Sequence, residues 1–175
     1  QVELYRMAGN TEVSLGKVLA AADGTFVIDV SLPDGLSGVY ARVTDIAGNT
    51  SANALPLNIT VDTQAPDAPG VMTLDALDDT GRSDHDVNTA KTTDLTFSGT
   101  TNAGSTVEVF KLDAGALVSL GQAVVTGSTF SIDLDLAEGV QKLVTKATDA
   151  AGNVSSVAIS KASDCKFCAL ALSSL

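Results

Sequence analysis

The segment VTDIAGNTS at residues 43–51 recurs 104 residues later as ATDAAGNVS at residues 147–155. The repetition extends upstream, since VELYR at residues 2–6 matches VEVFK at residues 107–111 at an offset of 105. The change of offset means that one residue has been lost from an intervening loop, as hairpin loops tolerate. Repetition at this interval predicts two similar units in tandem.

Alternation of apolar and polar residues predicts the local structure. Residues 130–136 place Phe, Ile, Leu and Leu at every second position, and residues 26–32 repeat this pattern. Both segments are therefore predicted strands with one buried and one solvent-exposed face. No segment has a sustained helical period, and turn signals separate the apolar runs. The strands predicted in the second unit are residues 71–74, 94–98, 106–111, 117–125, 130–136, 141–148 and 154–160.

Short strands separated by turns favour an all-β fold. We predict a Greek-key, immunoglobulin-like β-sandwich of seven strands and about 100 residues, repeated in tandem. The segment VDTQAPDAPG at residues 61–70 is the predicted linker, because its two prolines stiffen an extended path. The predicted domains are a partial repeat at residues 1–61, a complete repeat at 62–161 and an atypical tail at 162–175.

The first copy matches only the second half of the repeat. It has no counterpart of residues 63–105, and half a sandwich leaves an apolar face uncovered. Either the chain was cut at that point, which is the interpretation we favour, or its other strands come from another chain.

The charge of the chain limits its partners. It has 21 acidic and 10 basic residues, which give a formal charge of −11. This charge repels phosphate backbones and anionic membrane surfaces, so we expect no nucleic acid as a partner. No stretch approaches the ~18 consecutive apolar residues of a membrane helix, and no membrane insertion is expected. Carboxylate oxygens are hard ligands that suit Ca²⁺, although an acidic excess also serves solubility.

One acidic loop, LDDTGRSDHDVNT at residues 77–89, is a candidate Ca²⁺ site. Calcium takes about six to eight oxygen ligands and accepts irregular geometry. The spacing is not that of an EF-hand, and a solvated acidic loop is the alternative interpretation. The side chains that could supply oxygens are Asp78, Asp79, Ser83, Asp84, Asp86 and Asn88.

The repeated turn is the second candidate site. In TDAAGN, Asp149 precedes a Gly-Asn pair that tolerates left-handed backbone angles, so the strand turns sharply with the aspartate at its end. A well-formed turn without a metal is the alternative. The equivalent turn of the first unit would lie near the linker, where Asp45, Asn49 and Asp62 could converge with Asp67 of the next domain. An ion there would bridge two domains and stiffen the joint.

Three segments carry a family resemblance: DTGRSDHDVNT, TFSGTTNAGSTVEVF and TDAAGNVS. They resemble the bacterial immunoglobulin-like repeats of very large surface adhesins, the biofilm-associated and RTX-type adhesins exported by type I secretion. The resemblance covers nearly all of residues 1–164. It implies extracellular extender modules on the bacterial cell surface, rigidified by Ca²⁺ at domain junctions and projecting a distal binding domain. Neighbouring repeats of the same polypeptide would be the partners.

The resemblance also implies particular calcium ligands. Asp79, Ser83 and Asp86 would be loop positions. Asp45, Asp62 and Asp149 would be junction positions.

The tail departs from this family pattern. After Asp164, where another linker is expected, the chain reads CKFCALALSSL, with Cys165 and Cys168 as its two cysteines. A lone pair of cysteines is a poor zinc site, because zinc takes about four ligands. A cloning remnant or a disordered end is one interpretation, and an apolar strand at residues 169–172 that docks on another domain is the other.

We expect no enzyme. The only histidine, His85, lies in the acidic loop, and no nucleophile motif or glycine-rich phosphate loop accompanies it. Repetition of both turn and core favours a structural extender that supports adhesion or biofilm formation. The alternatives are a carbohydrate-binding or protein-binding module and a subunit of an extracellular filament completed by strands from another chain.

Overall fold

The computed structural model describes residues 1–83 and 87–159. Throughout these residues the chain forms strands, turns and loops, and none of them is helical. The all-β class predicted from the alternation is confirmed. Within the same residues, no helix is long and apolar enough to cross a membrane. The chain divides into two compact units, Gln1–Thr63 and Gln64–Leu175.

The first unit is a single antiparallel sheet of four strands. They are β1 (Val2–Ala8), β2 (Thr11–Val18), β3 (Gly35–Val43) and β4 (Leu57–Val61), in the spatial order β2-β1-β3-β4. The turn between β1 and β2 contains Gly9 at a φ of 61°, a left-handed angle that glycine adopts without steric cost. Val2 and Val39 are buried on this sheet.

The described residues of the second unit, 64–83 and 87–159, form seven strands, one for each predicted segment. Their bounds are β5 (Thr73–Leu74), β6 (Leu95–Thr100), β7 (Thr106–Asp113), β8 (Ala116–Thr126), β9 (Thr129–Leu134), β10 (Leu143–Thr148) and β11 (Ala158–Ile159). Hydrogen-bonded neighbours follow one another in the spatial order β11-β10-β7-β8-β9-β6-β5.

Strand β8 folds this run of strands into two layers. It pairs with β7 as far as Ala123 and with β9 from Val124 onward, so it passes from one layer to the other. Val109 of β7, Leu134 of β9 and Leu143 of β10 form a buried cluster between the layers. The chain crosses between layers from β6 to β7 and again from β9 to β10, which is the Greek-key arrangement of an immunoglobulin-like sandwich. The predicted sandwich is confirmed.

Both units contain the same β-bulge. The register of β1 against β2 shifts after Leu4, and the register of β7 against β8 shifts after Val109, its equivalent 105 residues later. The residues opposite are Gly16 and Gly121, with φ angles of 145° and 134°. Glycine tolerates these angles, so the repeated glycine explains the repeated bulge.

One predicted strand is not formed. Residues 26–32 have the same alternation as β9 but are irregular in the first unit, whose 63 residues are all described. In the second unit β9 pairs with β6 along its whole length, from Thr129 to Leu134. The first unit contains no counterpart of β6, and a strand needs a hydrogen-bonding neighbour. The alternation therefore predicted neither the missing strand pairing nor the exposure of Phe26, which is 43% exposed.

Candidate functional site

The repeated aspartate turn has the same geometry in both units. One carboxylate oxygen of Asp45 accepts a hydrogen bond from the Asn49 backbone N–H (2.8 Å), and the other accepts one from the Asn49 side-chain amide (2.8 Å). Asp149 accepts the same two bonds from Asn153 at 2.9 and 3.0 Å. In both units, the hydrogen bond from the asparagine side chain is the main cause that lowers the pKa of the aspartate.

A serine completes each turn. Ser51 accepts a hydrogen bond from the Val43 N–H at 3.0 Å, and Ser155 accepts one from the Ala147 N–H at 2.9 Å. Each serine hydroxyl then donates to the carbonyl of the next residue at 2.8 Å. Both serines stand in the repeated sequence, but sequence reasoning gave them no role. The signal was their fixed position six residues after the aspartate.

This geometry bears on the calcium hypothesis for the turns. The carboxylates of Asp45 and Asp149 are held toward their own asparagines, and each retains lone pairs beyond those the turn uses. Among residues 1–83 and 87–159, no group of three or more Asp, Glu, His or Cys side chains gathers around a common point. A metal at either turn would therefore have to draw most of its oxygens from backbone carbonyls, amides or water.

The other junction residues lie in different units. Asp62 belongs to the first unit, at the end of the segment containing β4, and Asp67 belongs to the second. Asp67 accepts a hydrogen bond from the Asn102 side-chain amide at 3.5 Å. The predicted convergence of Asp45, Asp62 and Asp67 on one ion stays a prediction.

The acidic loop is closed by contacts between its two limbs, which are residues 77–83 and 87–90. The Thr80 hydroxyl lies 3.3 Å from the Thr89 hydroxyl and accepts a hydrogen bond from the Ala90 N–H at 2.8 Å. Gly81 approaches Asn88 so closely that an added Cβ would lie 2.6 Å from the Asn88 carbonyl oxygen. Its limbs are thus fixed at the base.

The aspartates of this loop have different surroundings. Asp78 is buried, pairs with Lys91 and accepts a hydrogen bond from the Thr96 N–H at 2.8 Å. The bond from Lys91 is the main cause that lowers its pKa. Asp79 accepts a longer bond from the Gly81 N–H, at 3.4 Å. Of the other predicted ligands, Ser83 lies on the first limb, whereas Asp86 lies outside the described residues, as do His85, Cys165 and Cys168.

A third repeated feature covers the outer face of each sheet. In the first unit the rings of Tyr5 and Tyr40 stack with centroids 5.8 Å apart, and the Arg42 guanidinium lies 4.7 Å above the Tyr5 ring. In the second unit Lys146 lies 5.9 Å from the centre of the Phe110 ring. These positions correspond at offsets of 105 and 104. Bulge, turn and cation–aromatic pair thus recur together.

The sequence model of the bacterial Ig-like domain family matches residues 65–162. The chain belongs to the bacterial Ig-like domain family. The predicted resemblance to bacterial immunoglobulin-like repeats is thereby confirmed. In this Ig-like chain the matched region corresponds to the second unit, with its two layers of strands.

One solved structure similar to this Ig-like chain is described as a tetra-tandem repeat in the extending region of a large adhesion protein. The two are 22% identical, with a TM-score of 0.37. The similarity covers 92% of this chain and 42% of the other, so the Ig-like chain spans less than half the length of that structure. Comparison with curated proteins finds no match.

Proposed function

We propose that the chain is a non-catalytic extender segment of an adhesin on the surface of a bacterial cell. The observation that carries this proposal is the recurrence of one structural set, bulge, turn and cation–aromatic pair, at an interval of 104 to 105 residues. An extender needs many copies of one stable domain, whereas a receptor-binding module needs a distinctive surface in one copy. Such a segment would hold a distal binding domain away from the cell and support adhesion or biofilm formation.

We propose further that Ca²⁺ stiffens the segment. Asp79, Ser83 and Asp86 would hold an ion in the acidic loop, whose limbs are already fixed at the base by Thr80 and Thr89. Neutralisation of clustered carboxylates is the chemistry that the ion would supply. The formal charge of −11 supports this role, because repulsion between carboxylates is strongest when no cation is bound.

The junction ligands are the second part of the calcium proposal. Asp45, Asp62 and Asp67 would bind an ion near the linker, and Asp149 would do so before a following repeat. The hydrogen bonds that lower the pKa of Asp45 and Asp149 favour ionised carboxylates, which is the form that binds calcium. Neighbouring repeats of an RTX-type adhesin would be the partners at these junctions.

Thermal unfolding of the chain in EGTA and in a few millimolar Ca²⁺ tests the metal part of the proposal. A ligand present at about 100 times its Kd stabilises the folded state by roughly 2.7 kcal/mol, which raises the Tm of a chain of this size by about 5 to 10 °C. Asp79→Asn should remove the part of this rise that comes from the acidic loop. Glu138→Gln removes the same charge at an exposed site outside the loop and should leave the rise intact. An equal rise in both variants would show that the loop is not the calcium site.

A second candidate function, a filament subunit completed by strands from another chain, is favoured by a different observation. In the first unit Phe26 is 43% exposed and Leu57 is 66% exposed. An uncovered apolar sheet face of this kind is a potential interaction surface.

A further inference from the structure

The outer face of the first sheet carries a groove of about 520 Å³. Its lining residues come from the turn-side ends of β1 and β2, from β3 and from residues 53–58. Tyr40 of β3 lines the groove, whereas the adjacent Val39 points to the opposite face, where its equivalent Leu143 belongs to the core of the second unit. Sites for small ligands have volumes of about 300 to 1000 Å³, and this groove falls within that range.

Arg42 holds two polar residues of the groove in place. Its guanidinium pairs with the Glu12 carboxylate, and its Nε atom donates a hydrogen bond to the Asn53 side-chain oxygen. The guanidinium carbon lies 4.7 Å from the centre of the Tyr5 ring and 5.8 Å from that of Tyr40. Because the Asn53 oxygen is already bound, its amide nitrogen is left to donate, and the Glu12 carboxylate keeps lone pairs that accept. A donor and an acceptor are therefore fixed in one groove.

Apolar surface lies beside these polar groups. Met7 is 45% exposed and lines the groove together with Pro56, which is also exposed. Gly38 keeps the space between them open. A Cβ at Gly38 would lie 3.4 Å from the Asn58 side-chain oxygen and 3.8 Å from the Pro56 Cβ atom. A larger residue at this position would therefore project into the groove.

The polar lining is specific to the first unit. At offsets of 105 and 104, the equivalents of Glu12, Gly38 and Asn53 are Leu117, Lys142 and Val157. Both units share the bulge, the turn and the cation–aromatic pair, so the common framework does not require a carboxylate, a glycine and an amide at these positions. A ligand that contacts them does.

We propose that this groove binds a neutral saccharide. Neighbouring hydroxyl groups of a sugar ring donate to a carboxylate and accept from an amide, which are the groups that Glu12 and Asn53 present. The C–H face of the ring packs on Met7 and Pro56, as small ligands pack on apolar walls beside a few fixed polar groups. This proposal does not rest on the extender function or on calcium.

The charges of the groove favour a ligand without charge. Arg42 and Glu12 neutralise each other, so neither is left to attract an ion of opposite sign. Glu12 nevertheless stays ionised as an acceptor, because hydrogen bonds from Tyr40 and Arg42 lower its pKa.

The position of the groove disfavours a peptide. Peptides that bind to sheets commonly add to a free strand edge through their backbone. The strands β1 and β3, which carry Met7 and Tyr40, are each hydrogen-bonded to a neighbour on both sides. Recognition in the groove therefore depends on side-chain amides and a carboxylate, which match hydroxyl groups.

The test probes an array of neutral and anionic glycans with the full 175-residue chain coupled to fluorescent beads, since multivalent display detects weak binding. At least one neutral glycan should bind saturably. In nuclear magnetic resonance spectra of the free chain, titration with that glycan should shift the side-chain amide signals of Asn53 and Asn58. Binding of no neutral glycan, or shifts confined to other residues, would overturn the proposal. Shifts of these amides by a pool of tripeptides and by no glycan would also overturn it, in favour of a peptide.

Variants that introduce the residues of the second unit test the groove itself. Gly38→Lys fills the groove without backbone strain, because Gly38 has no left-handed φ, and should weaken binding by more than about tenfold. Ala22→Lys adds the same side chain at an exposed site outside the groove and should leave the affinity unchanged. Asn53→Val removes one donor and should weaken binding by about tenfold. Affinity unchanged in both groove variants would overturn the proposal.

Discussion

The two units carry the same structural devices but bury their apolar residues to different extents. Val39 and Leu143, which correspond, are 8% and 7% exposed. Val43 pairs with Val2 at the start of β1 and is 48% exposed, whereas its equivalent Ala147 pairs with Val107 near the start of β7 and is fully buried. Phe26 and Phe130 differ almost as much, at 43% and 1%.

This difference separates local from tertiary determinants. The bulge at Gly16, the turn at Asp45 and the stack of Arg42 on Tyr5 form in the first unit although it has a single layer. These features need only residues close in sequence or on adjacent strands. Residues 26–32 could form a strand only beside a hydrogen-bonding neighbour that residues 1–63 do not contain, and the segment is therefore irregular. The sheet is thus encoded within each half repeat, whereas the second layer is encoded by the complete repeat.

The largest expected effect is at Phe130, whose ring is buried whereas that of its equivalent Phe26 is exposed. Phe130→Ala should reduce the free energy of unfolding of the second unit by about 4 kcal/mol, because it leaves a cavity against Gly99. Phe26→Ala should cost the first unit less than about 1 kcal/mol, since the ring is partly solvated already. Hydrogen exchange in increasing urea reports each unit separately. Equal losses from the two substitutions would remove the distinction between a one-layer and a two-layer unit.

A smaller difference is expected at the serine that completes each turn. Ser155 is 5% exposed, so Ser155→Ala leaves the Ala147 N–H buried without an acceptor and should cost about 2 kcal/mol. Ser51 is exposed, and water can replace its hydroxyl after Ser51→Ala, which should cost less than about 0.5 kcal/mol. The same urea measurement compares the two variants. A larger loss of stability from Ser51→Ala than from Ser155→Ala would contradict the burial assigned to the two serines.

The smallest effect concerns the aspartate of the repeated turn, which both units share. Because the folded chain lowers the pKa of Asp45 and Asp149, each carboxylate contributes stability above the ordinary aspartate pKa of about 4. That contribution is lost as the pH falls through the lower folded value. Unfolding measured from pH 7 to 2 should therefore show both units losing stability below about pH 4.

Single variants assign this pH dependence to the turns. Asp45→Asn should reduce the acid-dependent loss in the first unit, and Asp149→Asn should reduce it in the second. The pKa of Asp78 is also lowered, mainly by the hydrogen bond from Lys91. Part of the acid-dependent loss of stability in the second unit should therefore persist in Asp149→Asn. A pH profile unchanged by both substitutions would show that the turn carboxylates do not titrate with folding.

Much of the fold could be predicted from the sequence because it depends on periodic patterns. The alternation at residues 130–136 gave a strand, the glycine and asparagine after Asp149 gave a sharp turn, and the internal repeat gave two units. The pattern at residues 26–32 is equally clear, yet no strand forms there. Periodicity shows which side chains face inward, but it carries no information about the neighbour that must complete the ladder.

The candidate site could be predicted less well, for a chemical reason. Aspartate followed by Gly-Asn can ligate a metal or cap its own turn, and the sequence is identical in both cases. The structure shows the capping bonds from Asn49 and Asn153. Asp78 appeared to be one more loop oxygen, but its pairing with Lys91, 13 positions away, turns it inward. Contacts of this kind depend on the tertiary fold rather than on local composition.

Both units are the same Ig-like repeat, and the first differs by lacking strands of the second layer. The most direct test joins a second copy of residues 64–105 to Gln1, because in the second unit this segment leads directly into Thr106, the equivalent of Gln1. The joined chain should gain roughly 4 kcal/mol of stability in its first unit as Phe26 and its apolar neighbours are buried.

Hydrogen exchange of residues 25–30 in the joined chain is the measurement to make. Protection that rises to the level of β9, together with its loss when the added copy carries Leu95→Asp and Phe97→Asp, is the predicted result. Residues 25–30 that exchange as fast as in the original chain would show that the first unit is not the same repeat.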